Sequence, residues 1–180
     1  MKERHSLREF AQPWLDALKR YSQSLPILPD LLDYWKVYGG WHALIRSPWL
    51  WAAAILTAFL YRTAGAEERW AGTAVSILPS TLGFSVSAAA ILLAFPSTSA
   101  FKFFKENGRY DSYYMGIAAT ITHYSMVQLT SIILIVISQS TNIAFINYLS
   151  FFVFMYALIS GFGVITTLYT VARDYNSSPE

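Results

Sequence analysis

Long stretches without charge constrain this chain more than any motif does. No Asp, Glu, Lys or Arg occurs from Trp70 to Ala100, from Ser112 to Ala172, or from Ser47 to Tyr61. A helix of a globular protein keeps a charged face toward water, so runs this long are not ordinary core helices. About 20 mostly apolar residues cross a bilayer as one helix. The expected fold is therefore an all-α membrane protein with four transmembrane helices, near residues 47–62, 71–95, 113–138 and 143–171. Residues 1–46 form an amphipathic cytoplasmic leader, 47–172 the transmembrane domain and 173–180 a cytoplasmic tail.

The leader is polar but rich in aromatic residues. Leu7, Phe10, Trp14, Leu18 and Tyr21 recur at helical spacing, with Arg8, Asp16, Lys19 and Arg20 between them. Pro26 and Pro29 interrupt the chain. Asp30 then suits the cap of a short helix from Leu31 to Tyr38, which Gly39 and Gly40 end. Trp14, Trp35 and Trp41 are residues that settle at headgroup level. With Lys19, Arg20 and Lys36, and with Lys102, Lys105 and Arg109 between spans two and three, they mark an interfacial or partner-docking surface. A leader packed on the protein's own helix ends fits the same residues equally well.

Span one opens at Ser47-Pro48, a cap followed by proline at the first helical position, and Trp41 to Leu44 extend it through the interface. Eleven of the 13 Lys and Arg lie in the leader, the 96–112 connection and the tail, while Arg62 and Arg69 lie on the other side beside Glu67 and Glu68. The positive-inside rule then places both termini in the cytoplasm. No cleavable signal peptide is visible, and the absence of cysteine excludes disulfides.

Span two carries Ser76, Ser80, Gly83, Ser87, Ala90 and Ala94 at alternating steps of four and three. Such a seam of small side chains admits close helix approach and suits self-association, although small residues abound throughout this span. In span three, Thr120, His123, Tyr124, Val127, Gln128, Thr130 and Ser131 share one face, opposite the lipid-facing Leu129, Ile132, Ile133, Val136 and Ile137. Span four adds Ser160, Gly163, Thr167 and Thr170 on one face, and Gly161 and Gly163 allow a close contact or a bend. His123 is the one Asp, Glu, Lys, Arg or His deep in any span. Intramembrane ionisable groups mark functional sites by default. With no carboxylate near, a neutral imidazole bonded to a Ser or Thr of a neighbouring span is the favoured role.

Catalytic patterns are lacking. Gly83-Phe84-Ser85-Val86 matches only half of the Gly-x-Ser-Gly signature of intramembrane serine proteases, and His5, His42 and His123 are too scattered for a metal site. No intramembrane acid carries protons, no glycine-rich loop cradles phosphate, and no basic tract binds nucleic acid. A protein without enzymatic activity, cofactor, metal or direct nucleic-acid contact is expected.

The stretch Leu78 to Ser85, continuing through Ala90 to Phe95, together with Thr122-His123-Tyr124 and Gln128, resembles small four-span bacterial inner-membrane proteins of phage-defence loci, the Kiwa membrane subunits among them. That resemblance implies an oligomeric membrane sensor or effector working with a soluble cytoplasmic partner, and it supplies no binding residues. Three functions stay open: a homo-oligomeric signalling scaffold in antiviral defence, a small channel or membrane-permeabilising protein, and a small-solute transporter.

Overall fold

The structure is a computed structural model that describes residues 27–65, 67–94, 109, 112–141 and 143–177. The chain divides into two compact units, Met1–Lys36 and Val37–Glu180. Trp14, Lys19, Arg20, Lys102 and Lys105 lie outside the described residues, as does the leader's first helix.

Seven helices and no strand occur among the described residues. They are α1 (Ile27–Tyr38), α2 (Gly40–Arg46), α3 (Pro48–Phe59), α4 (Tyr61–Ala64), α5 (Glu67–Ala94), α6 (Tyr113–Thr141) and α7 (Ala144–Ser177). Helix α1 already includes Ile27, where the sequence suggests a start at Leu31. Pro29 falls in its first turn, where a missing N–H removes no intrahelical bond. Gly39 and Gly40, at φ 100° and 61°, end it in a left-handed turn that other residues rarely adopt.

Span one differs most from the sequence reading. Residues 41–44 do not extend it, because Ser47 is extended (φ −64°, ψ 121°) and separates α2 from α3. Pro48 occupies the expected first helical position, but the Ser47 side chain makes no capping bond. The Trp51 indole spans this break and donates to the Ile45 carbonyl at 2.7 Å. Helix α3 has 12 residues, about 18 Å of rise against a hydrocarbon core of about 30 Å. Among the described residues three helices are long and apolar enough to cross a membrane: Trp70–Ile91 of α5, Tyr113–Thr141 (α6) and Ala144–Asp174 of α7.

Within Val37–Glu180 the long helices pack as a row. Helix α7 lies between α3 and α6, and α6 lies between α7 and α5, which meets α7 chiefly at its Trp70 end. The buried face of α6 follows a step of four, then three: Ile117, Ile121, Tyr124, Gln128, Ser131, Ile135 and Ser138. That spacing is the stripe by which helices cross at a shallow left-handed angle. The far side of α6 exposes Leu129, Ile133, Val136 and Ile137 as the sequence suggests, and Thr130 joins this outer face instead of the inner one.

Two apolar clusters anchor the row. At one end Trp70 packs edge-on against Phe151 at 5.2 Å and stacks on Phe154 at 5.9 Å, among Ala64, Ala71, Ala74, Leu78 and Ile135. Nearer the other end, Ala88, Ile117, Ile121, Tyr124 and Val164 meet. Alanine on α5 lets bulky α6 and α7 side chains fill the space, so dispersion is gained at close backbone distance.

Candidate functional site

The interior of the row is polar at one side chain after another, and half of the described buried polar side chains, Ser85, His123, Ser138 and Ser150, are paired across helices. His123 on α6 is 7% exposed, and its Nε2 lies 2.8 Å from the Tyr156 hydroxyl on α7. The Tyr38 ring stacks on the imidazole with centroids 3.9 Å apart and planes 13° from parallel. Tyr38 also hydrogen-bonds Tyr156. Burial pushes the Tyr38 phenol above its ordinary pKa, and the bond to Tyr156 opposes that shift. The outcome is a three-residue lock joining the turn after α1 to α6 and α7. The partner of His123 is a phenol, not the serine or threonine that the sequence suggests.

Tyr156 is the residue that sequence reasoning missed. It had a legible signal: a tyrosine far inside an apolar span, away from the headgroup level, must find a hydrogen-bond partner for its hydroxyl. Further inter-helix bonds join Ser125 to Ser85 (2.9 Å), Ser138 to Asn147 (2.7 Å), and Ser150 to the Leu134 carbonyl (2.9 Å). None of these pairs could be read from one helix, because each needs two helices in register.

Gln128 and Ser131 are fully buried on the same face of α6, one turn apart. The hydroxyl of Ser131 and both polar atoms of the Gln128 amide lack a partner of regular hydrogen-bond geometry. The Tyr124 hydroxyl is turned toward Gln128 without closing such a bond. An unpartnered buried amide is expensive, so removing it should not hurt the fold. Gln128→Leu is expected to leave thermal stability in detergent unchanged or raise it by about 1 kcal/mol. A clear loss of stability would show that the amide is well paired.

The other residues picked from the sequence fall into separate places. Ser160 is buried, with its hydroxyl donated to the Ala157 carbonyl, while Thr120 and Thr167 are half-buried and donate to Gly116 and Gly163 carbonyls. Gly163 faces the Trp49 indole of α3, and Gly161 faces the Tyr124 ring of α6. Ser76, Ser80, Gly83, Ser87, Ala90 and Ala94 are all exposed on the outer side of α5. No heavy atom lies within 4 Å of where a Gly83 side chain would start. Trp35 is half-buried, Lys36 is exposed and pairs with Asp33 at 3.3 Å, and Arg109 is exposed.

Chemically, an imidazole held by two phenols, with no carboxylate shown against it among the described residues, suits orientation and packing better than proton transfer. Among the described residues no group of three His, Asp or Glu gathers as metal ligands would. No family model, curated protein or solved structure matches this chain.

Proposed function

We propose that this chain is an oligomeric integral membrane scaffold or sensor that acts at its cytoplasmic face with a soluble partner. One observation carries the reading. The small-residue face of α5 is open along its length at the edge of the helix row, while the interior polar groups are largely spent on contacts within the protomer. In a bilayer, apolar side chains gain nothing by leaving lipid for one another, so close approach over small residues is what joins helices. A second copy of α5 fits this face.

In this reading α3 and α4, which run beside α7, complete a fourth crossing with help from the interface. Both termini are cytoplasmic in this reading, and the positive-inside rule assigns Arg46, Arg109 and Arg173 to that side. A role in phage defence rests on the resemblance alone. A pore between protomers gains no support, because His123, Gln128, Ser131 and Ser160 turn inward, away from any shared axis. Substrate transport has no buried charge to work with.

Native mass spectrometry from mild detergent tests the assembly. The wild type is expected as multiples of the 20.3 kDa chain, and Gly83→Leu as the monomer with unchanged helicity. A wild-type monomer in every mild detergent would sink the proposal, as would an oligomer indifferent to Gly83→Leu.

A further inference from the structure

A cavity of about 310 Å³ opens where α3, α6 and α7 meet beside the turn after α1. Tyr38, Trp49, Tyr124 and Tyr156 give it aromatic walls, with His123 between two of them. A second hollow of about 440 Å³ borders it, sharing Tyr38, Thr120 and Thr167 with the first in one cleft region. This cleft lies within a single protomer and depends neither on α5 nor on a second copy of the chain.

The cleft lining has two chemical properties. First, no Asp, Glu, Lys or Arg is among the described residues that line it. Among the described lining residues the first hollow offers a phosphate no cation and an ammonium no carboxylate, while Asp174 stands behind the second, accepting from the Tyr113 hydroxyl at 3.1 Å. Second, four of its aliphatic hydroxyls have already given away their protons. Thr120 donates to the Gly116 carbonyl, Ser160 to Ala157, and Thr166 and Thr167 to Gly163, at 2.8 to 3.1 Å. What these four oxygens still offer is lone pairs, so a ligand that brings hydrogen-bond donors matches them.

Size and access narrow the class further. The first hollow holds the volume of roughly ten water-sized groups, enough for a glycerol head and its ester. Trp49 stacks on Phe162 at 6.3 Å, and Phe162 is 61% exposed, which leaves an apolar margin along which an acyl chain can lie. We infer that this cleft binds the free hydroxyls of an uncharged glycerolipid, a monoacyl- or diacylglycerol, with its chain against the apolar margin.

Titration of the purified protein with four single-chain probes, read by native mass spectrometry, tests this. Monooleoylglycerol has hydroxyls and no charge, methyl oleate has neither, and oleate and oleoyl lysophosphatidylglycerol are anionic. Monooleoylglycerol is expected to bind about tenfold more tightly than methyl oleate, the weight of one hydrogen bond. It should also bind more tightly than both anions. The near-isosteric pair Ser160→Ala with Thr167→Val should erase the preference over methyl oleate while leaving the melting temperature close to wild type. Equal affinity of the wild type for monooleoylglycerol and methyl oleate, or an anion bound as tightly as either, would overturn the assignment. The wild-type comparison decides the matter even if the double variant fails to fold.

Discussion

His123→Ala and Tyr156→Phe are each expected to destabilise the protein by about 1 to 2 kcal/mol, and together by little more than the worse of the two. Their side chains approach to 2.8 Å in the wall of the cleft, with His123 only 7% exposed. Either change breaks the same His123–Tyr156 contact, so the second finds little left to lose, while Tyr156 keeps its bond to Tyr38. Tyr38→Phe keeps the stack on His123 and removes only the hydroxyl, so it should be milder than Tyr38→Ala. The measurement is a double-mutant cycle on unfolding in bicelles. Additive losses within about 0.5 kcal/mol would show that His123 and Tyr156 act separately, and the lock would be lost.

The largest single-residue effects are expected at two glycines of α7. A Cβ added at Gly163 would stand 2.9 Å from Trp49 Nε1 and 3.3 Å from its Cδ1. One added at Gly161 would stand 2.9 Å from the Tyr124 hydroxyl and 3.4 Å from Cζ. Tyr124 is a buried ring that yields only by moving α6, while Trp49 is half-buried and yields by giving up its stack on Phe162 or by shifting α3. Gly163→Ala and Gly161→Ala should each lose about 1 to 3 kcal/mol, the usual cost of overpacking. Gly163→Ala should also blue- or red-shift the emission of Trp49, by displacing its indole. Gly72 and Gly116 are the controls, with nothing within 4 Å of an added Cβ. Alanine there should be neutral or slightly stabilising through helix propensity. If all four substitutions behave alike in thermal melts, the close approach of α3 and α6 to α7 is not what Gly163 and Gly161 provide.

Much of this was legible residue by residue, and the failures are instructive. The inner and outer faces of α6 were readable from 3.6-residue periodicity because lipid and neighbouring helices select different side chains. Thr130 was misassigned, since a threonine satisfied by its own backbone tolerates the outer face; its hydroxyl donates to the Met126 carbonyl at 2.8 Å. The extension of span one through 41–44 failed because the extended backbone at Ser47 divides the two helices. The partner of His123 failed for a different reason. Tyr156 lies 33 residues away, and only the pairing of α6 with α7 decides which side chain stands opposite the imidazole.

The sequence by itself determined the all-helical class, the three long apolar helices and the short connections between them. Those follow from local rules: every backbone polar group in an apolar stretch must be satisfied within its own helix, and charge is excluded over the length of a bilayer crossing. Tertiary structure alone decided which groups meet. It set the order of the row, α3–α7–α6–α5, which leaves the small-residue face of α5 open and closes the α6–α7 seam around His123, Tyr156 and Tyr38. Side-chain partnership depends on helix register and on ångström-scale approach at glycines such as Gly161 and Gly163. Those quantities belong to pairs of helices, and no single stretch of chain encodes them.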